Sequence, residues 1–239
     1  MSSVEKSLEG LENIIGYKFK DMDLLITAMT HSSYSNEHRG KGEACRCNER
    51  LEFLGDSVLS IITSEYLFEK FRDRDEGDLT KMRAEVVCER ALAGFAREIG
   101  LGDYLLLGVG EDKNGGRDNK SLLSDAFEAL LAAMYLDADG EGKSIVQRFL
   151  LPFITAELEK IEVSGKTKDY KTMLQQFLQQ DGAVNLTYAP ISESGPDHAK
   201  TFVVEARMGS NIIGHGSGKT KKDAEQNAAR EALRLFGEI

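Results

Sequence analysis

The sequence predicts a multidomain protein: an all-α domain followed by a small α+β domain in which strands lie between two helices. Apolar residues with helical spacing recur through the first two thirds of the chain. A short polar segment, VSGKTKD, follows, and apolar alternation typical of strands appears only after it. With 239 residues, the chain is long enough for two domains with separate cores.

The element pattern sets the predicted domain limits at 1–160, with a linker at 161–168 and the second domain at 169–239. In the first domain, helical periodicity covers the segments 21–29, 50–70, 79–99, 119–136 and 143–160. In the second domain, the segment DYKTMLQQFLQQ predicts a helix. TFVVEARM (201–208) and NIIGHGSG (211–218) predict strands, and the Ala-rich KKDAEQNAAREALRLF predicts a closing helix.

Composition is that of a globular protein, with 41% hydrophobic and 29% charged residues, and it excludes disordered and fibrous classes. The first residues carry charges where a signal peptide needs an apolar core, and no apolar run approaches the ~18 residues of a membrane span. We therefore expect a cytoplasmic protein with no membrane association. The net charge of −10 belongs to residues 1–160, because residues 161–239 hold 10 basic and 10 acidic side chains.

The segment NERLEFLGDSVLS (48–60) carries three acids, Glu49, Glu52 and Asp56, on one face of a predicted helix. Apolar residues on the opposite side predict the core-facing stripe of that helix; they are Leu51, Leu54, Val58, Ile61 and Ile62.

A second helix, NKSLLSDAFEALLAAMYLD, repeats the arrangement, with Asp125 and Glu128 on one face. The small side chains of Ala129 and Ala132 lie beside them and would allow another helix to approach closely. The two helices would then bring two pairs of carboxylates together.

Converging carboxylates raise one another's pKa and need a cation. Oxygen-only ligands favour a hard ion such as Mg²⁺ or Mn²⁺. The alternative is an acidic, solvated helix face that binds nothing. A zinc site at Cys45-x-Cys47 beside His38 is a second alternative, but that spacing lacks another ligand pair.

Phe53 falls on the acidic face of the helix, away from the core stripe. An aromatic side chain in this position indicates a surface for a partner. Burial under another element of the same domain is the alternative.

These motifs resemble those of bacterial ribonuclease III. NERLEFLGDSVLS is similar to the signature of that family, and the similarity continues in THSSYSNE (30–37), DEGDLTKMRA (75–84) and LSDAFEALLAAMYLD (123–137). The resemblance implies a helical ribonuclease III endonuclease domain that forms a homodimer, joined to a double-stranded-RNA-binding domain of α-β-β-β-α order.

The resemblance also implies roles for individual residues. Four acids would bind the metal ion, and two of them, Asp56 and Glu128, would be catalytic. Glu49 and Glu76 would be accessory acids near the RNA, and Phe53 would insert into a pocket of the other subunit. The complete metal-binding set is Glu52, Asp56, Asp125 and Glu128.

The implied activity is Mg²⁺-dependent hydrolysis of double-stranded RNA, with Mn²⁺ expected to substitute for Mg²⁺. Each subunit of the dimer would cut one strand and leave 5′-phosphate and 3′-hydroxyl ends. Structured precursors such as those of rRNA and mRNA would be the substrates.

In the second domain, the block GKTKKDAEQNAA (218–229) resembles the phosphate-binding end of a double-stranded-RNA-binding domain. The expected phosphate contacts are Lys219, Lys221 and Lys222. Expected contacts to one minor groove are Thr172, Gln175, Gln176 and Gln179. Expected contacts to a second minor groove are His198 and Lys200.

Some of these assignments have ordinary alternatives. A run of lysines is usually an ordinary solvated face. The alternative for His198 is an ordinary exposed loop residue. Many relatives carry Glu at the position of Gln176, so its contact does not follow from the resemblance. We expect Thr30 and His31 to belong to helix packing.

Two other functions compete with the nuclease. A regulator that binds RNA duplexes without cutting them would have lost a catalytic acid, and none is lost here. A metal-buffering or structural helical dimer would leave the second domain without a purpose.

Overall fold

The structure is a computed structural model that describes residues 3–38, 46–164, 170–180, 185–196 and 200–238. The chain divides into two compact units, residues 1–164 and 165–239. In the described residues, no helix is long and apolar enough to cross a lipid bilayer.

The first unit is helical. In its described residues the α-helices are α1 (Ser3–Ile15), α2 (Met22–Met29), α3 (Ser32–His38), α4 (Glu49–Lys70), α5 (Glu76–Val86), α6 (Glu89–Glu98), α7 (Val109–Lys113), α8 (Lys120–Asp137) and α9 (Gly142–Ser164). Short 3₁₀ helices lie at Leu101–Tyr104 and Gly116–Asp118.

Helix α8 is the centre of this unit. Its segment from Ala126 to Met134 is almost completely buried apart from Glu128, because α2, α4, α6 and α9 surround it. A helix that is apolar on nearly every side belongs in the middle of a core. The partly exposed Asp125 and Glu128 therefore mark the one strip of this part of α8 that the other helices leave open.

The predicted core stripe of α4 is correct for most of its members. Leu51, Val58 and Ile62 are buried, and Leu54 packs against the core. The prediction was wrong for Ile61, which is 58% exposed. Ile61 lies at the edge of the stripe, on a side of α4 that the described part of this unit leaves uncovered.

Two predicted boundaries also differ from the structure. The helix predicted at 79–99 is two helices, because the backbone is extended at Cys88, where α6 begins. The linker predicted at 161–168 is helical over its first four residues, since α9 continues to Ser164. Residues 165–169 lie outside the described part of the chain.

The second unit contains α10 (Tyr170–Gln180), β1 (Leu186–Ser194), β2 (Thr201–Met208), β3 (Asn211–Gly218) and α11 (Lys221–Leu235). The strands form an antiparallel sheet in the order β1-β2-β3. The expected α-β-β-β-α order is confirmed, and β2 and β3 have the limits that alternation predicted.

Alternate glycines on β3 explain how α11 packs on the sheet. A Cβ atom on Gly214, Gly216 or Gly218 would overlap backbone atoms of α11. The facing residues of α11 are equally small and include the fully buried Ala224 and Ala228. The helix backbone therefore lies almost directly on the strand.

Candidate active site and nucleic-acid interface

The close approach of α4 and α8 creates the acidic site. At their crossing, a Cβ atom on Gly55 would overlap the backbone of Glu128. Sequence reasoning assigned the close approach to Ala129 and Ala132, which are indeed fully buried, but it missed the glycine on the other helix. Because Gly55 lies between Glu52 and Asp56 in the sequence, its contact brings these acids next to Glu128.

The pKa values of these acids reflect how close they lie to one another. Burial raises the pKa of Glu128 to about 8, with further contributions from Asp56, Glu52 and Asp125 in that order. Burial also raises the pKa of Glu52, and the charges of Asp125 and Glu49 add to the effect. The structure thus brings together the four acids predicted from the sequence.

The pKa of Asp125 indicates two neighbours, Glu89 and His31, that were not assigned to the site from the sequence. Burial raises its pKa, hydrogen bonds from Ser124 and Ser121 oppose the rise, and the charge of Glu89 adds to it. His31 acts in the opposite sense to Glu89. Glu89 begins α6 and His31 precedes α3, so neither belongs to the two helices on which the acids were recognised.

The donor set suits a hard divalent cation. Four carboxylates supply only oxygen atoms, which Mg²⁺ and Mn²⁺ prefer. A cation would offset the burial and the repulsion that together raise the pKa of Glu128. Among the described residues, no three His, Cys, Asp or Glu side chains already form a compact ligand cluster. The acids are therefore neighbours that would have to draw together around an ion.

The remaining predicted residues of this unit lie on the surface. Glu49 is the exposed first residue of α4, and Glu76 is the exposed first residue of α5. Phe53 is 79% exposed, so its burial within the same unit, the alternative left open by the sequence, is wrong. Cys45 of the alternative zinc site lies outside the described residues.

In the second unit, a groove of about 670 Å³ lies where α10 meets the start of β1 and the first turns of α11. Predicted RNA contacts line it: Thr172, Gln175, Gln179 and Lys222. The structure adds six further lining residues, which are Lys171, Asn185, Leu186, Tyr188, Glu225 and Gln226. The exposed Gln176 is not among the groove residues.

The three predicted lysines are exposed around the start of α11. The hydroxyl of Thr220 accepts a hydrogen bond from the N–H of Asp223 (3.1 Å), which caps this helix. Lys219 precedes the cap, and Lys221 and Lys222 follow it, so their charges add to that of the helix N-terminus.

The residues predicted to contact a second minor groove differ from these lysines, because one of them already has an acidic partner. The amino group of Lys200 lies 2.8 Å from the carboxylate of Glu193, and this contact lowers the pKa of Glu193. Lys200 therefore has a carboxylate partner in the free protein. His198 lies outside the described residues.

Comparisons with known proteins find a matching family for each of the two units. Residues 21–157 match the family model described as ribonuclease-III-like, and residues 170–235 match the double-stranded RNA binding motif. Ribonuclease 3 of Caldanaerobacter subterraneus subsp. tengcongensis is 49% identical, over 95% of this chain and 97% of its own. Ribonuclease 3 of Desulforamulus reducens is 47% identical, over 98% of this chain and 93% of its own.

Solved structures add the nuclease domain of ribonuclease III from Campylobacter jejuni, described for a flexible region involved in its dimer formation. It has a TM-score of 0.56 and 43% identity, and it covers 63% of this chain and 97% of that one. The helical unit with its acidic site and the second unit with its RNA-binding motif define an endoribonuclease that acts on double-stranded RNA. The chain belongs to the ribonuclease III family.

Proposed function

We propose that this protein is a cytoplasmic, Mg²⁺-dependent endonuclease that processes structured RNA precursors, such as those of rRNA and mRNA. Cleavage leaves 5′-phosphate and 3′-hydroxyl ends, and Mn²⁺ substitutes for Mg²⁺. The observation that supports this proposal is the contact between Gly55 and the backbone of Glu128, which brings the acids of α4 next to those of α8. Burial, and then the charges of the three other acids, raise the pKa of Glu128.

Glu52, Asp56, Asp125 and Glu128 hold the metal ion in this proposal. When bound, the ion lowers the pKa of a water molecule and neutralises charge on the phosphoryl oxygens. Glu128 is half-buried and shares the site with three other acids, so it gives up its proton when a cation arrives. Asp56 and Glu128 are the catalytic residues, and Glu49 and Glu76 are accessory acids near the RNA.

The second unit, assigned to residues 169–239, holds the duplex while the helical unit, assigned to 1–160, cuts it. Thr172, Gln175 and Gln179 offer neutral hydrogen-bonding groups to a minor groove, and Gln176 extends the same face. Lys219, Lys221 and Lys222 bind phosphates, because clustered charge sets the local field even in a unit with no net charge. Lys200 and His198 contact a second minor groove, and Lys200 must leave Glu193 to do so.

A homodimer follows from the exposed apolar face of α4. Phe53, Ile61 and Phe68 are 79%, 58% and 72% exposed, and their helical spacing places them along one side of the helix. An apolar surface of this kind needs a partner, and a second copy of the chain is the partner we propose. Phe53 enters a pocket of the other subunit, and each subunit cuts one strand.

The rival function is a regulator that binds RNA duplexes without cutting them. All four acids are present and close together, which such a regulator does not need. A structural or metal-buffering dimer does not account for the RNA-binding motif at 170–235.

The decisive experiment is cleavage of a long, perfect RNA duplex with Mg²⁺ and then with EDTA. Intact protein is compared with Glu128→Gln and with the matched surface variant Glu98→Gln, which changes an exposed acid at the far end of α6. We expect cutting that requires Mg²⁺ and is lost only in Glu128→Gln, with duplex binding retained in both variants. Tight binding without cutting by the intact protein would establish the regulator instead.

A further inference from the structure

His31 occupies a fixed position beside the acidic site. The carbonyl of the preceding residue, Thr30, accepts a hydrogen bond from the N–H of Asn48 (2.9 Å), immediately before α4 begins. The N–H of His31 itself donates to the carbonyl of Leu106 (3.1 Å). These two bonds hold the residue next to the turn of α4 that carries Glu52.

The ring of His31 is also oriented. Its Nδ1 atom accepts a hydrogen bond from the N–H of Ser33 (3.3 Å) and lies 2.8 Å from the Ser33 hydroxyl, which in turn accepts from the N–H of Gly108 (2.9 Å). Since a backbone N–H can only donate, Nδ1 is an acceptor and the ring proton lies on Nε2. Within the described part of the chain, Nε2 has no hydrogen-bond partner.

The negative charge around the site indicates a role for this N–H in binding phosphate. Acids alone account for the charge effects on the pKa of Glu128 and of Glu52. His31 lies close enough to Asp125 to lower the pKa of that carboxyl group. The carboxylates of the site repel an RNA phosphate. An N–H donor at the edge of the site offsets part of that repulsion.

We propose that His31 is a substrate-binding residue of the nuclease site, whose Nε2–H donates a hydrogen bond to a non-bridging oxygen of the phosphate that is cut. This inference rests on the proposed function of the four acids. The competing role is purely structural, in which His31 only anchors the Ser33 backbone and hydroxyl near Gly108.

Two substitutions separate these roles. His31→Asn places an amide near the position of Nδ1, so it keeps the link to Ser33 but has no group that reaches the phosphate. His31→Gln places an amide N–H near the position of Nε2 and gives up the link. The same pair of changes at His38, whose Nδ1 bonds to the carbonyl of Tyr34 (2.8 Å), is the matched control.

Single-turnover cleavage of duplex RNA with Mg²⁺ should fall about 10- to 100-fold in His31→Asn, as for a lost hydrogen bond to a charged group. Its melting temperature and its duplex affinity in EDTA should stay near those of the intact protein. His31→Gln should recover a large part of the rate, and the His38 variants should keep it. Full activity in His31→Asn, or a greater loss in His31→Gln than in His31→Asn, would overturn the inference.

A binding measurement tests the same contact without cleavage. The chain has four histidines, so ¹⁵N-histidine labelling of Glu128→Gln gives few signals, and the Nε2–H resonance of His31 should shift when duplex RNA is added. An unchanged resonance would contradict the contact. If the intact protein does not cut duplex RNA, the proposed function itself fails and takes this inference with it, whereas cutting that needs Glu128 but not His31 removes only the inference.

Discussion

Gly55 of α4 lies against the backbone of Glu128 on α8, with no room for even a methyl group between them. This contact lets one helix carry its acids next to those of the other. It is therefore a structural requirement of the acidic site, although glycine itself has no chemistry to contribute.

We predict that Gly55→Ala destabilises the protein and lowers its nuclease activity together. The added methyl group would overlap backbone atoms, which cannot rotate away, so the helices must separate at a cost of about 1–3 kcal/mol or more. Urea denaturation and duplex cleavage measure the two effects. Gly94→Ala on α6 is the control, because a Cβ atom there meets nothing within 4 Å, and it should be neutral or slightly stabilising.

The Gly55 contact also shows where sequence reasoning stops. Helical periodicity placed Glu52 and Asp56 on one face and Asp125 with Glu128 on another, because these spacings are local. It did not reveal Gly55, Glu89 or His31, whose importance depends on contacts between distant parts of the chain. Ile61 was misassigned for a related reason: periodicity locates the apolar residues of a helix but does not say which of them another element covers.

Strands β2 and β3 were predicted with correct limits because both have turn residues at their ends and apolar residues between them. The break at Cys88 was missed since the apolar pattern continues across it without a Gly or Pro. The burial of α8 on nearly every side could be expected from its Ala- and Leu-rich run, but the helices that surround it could not.

Stability of the metal-free protein should depend on pH through Glu128. Burial and the neighbouring acids raise its pKa to about 8 in the folded protein, from an ordinary value of 4.5, so between these pH values the folded state keeps a proton that the unfolded chain has lost. The free energy of unfolding therefore falls as pH rises across this range, by at most about 1.4 kcal/mol per pH unit from this group. Glu128→Gln should remove that slope.

Denaturation in EDTA at several pH values between 5 and 8 measures this effect as the difference between the two proteins. The advantage of Glu128→Gln should grow with pH, and adding Mg²⁺ should flatten the dependence only in the intact protein. Parallel stability profiles for the two proteins would show that Glu128 titrates normally.

Asp137 at the end of α8 should stabilise the helical unit through its hydrogen bonds to the loop after α1. Its carboxylate accepts from the Tyr17 hydroxyl (2.7 Å), the Lys20 N–H (3.0 Å) and the Asp21 N–H (2.8 Å). Burial acts to raise its pKa, but these bonds hold the pKa below the ordinary value. Its contribution is thus present at neutral pH and is lost as the solution becomes acid enough to protonate it.

Asp137→Asn should lower the free energy of unfolding by about 1–3 kcal/mol, because the amide has one acceptor oxygen for three donors. Thermal and urea denaturation at pH 7 measure the loss. Asp139→Asn is the matched control: Asp139 pairs with Lys20 on the surface, and exposed pairs of this kind contribute little to stability. Equal effects of the two changes would contradict the role assigned to Asp137.

Gly216→Ala should weaken RNA binding by destabilising the second unit. The new methyl group would overlap the carbonyl of Ala224 and the N–H of Ala228 on α11, and α11 carries the lysines expected to hold phosphates. We expect a destabilisation of about 1–3 kcal/mol or more and weaker duplex binding in filter assays. Ser217→Ala, at the exposed next position of β3, should change stability by less than ~0.5 kcal/mol.

Phe53→Ala should dissociate the proposed homodimer. A large aromatic side chain at the centre of an interface commonly contributes about 2–4 kcal/mol to association, so the dimer dissociation constant should rise roughly 30- to 1,000-fold. Sedimentation velocity over a concentration series measures this change, and Val109→Ala, which trims another exposed apolar residue of the same unit, is the control. If dimerisation survives both Phe53→Ala and the triple change of Phe53, Ile61 and Phe68 to Ala, the exposed face of α4 is not the interface and its apolar character requires another partner.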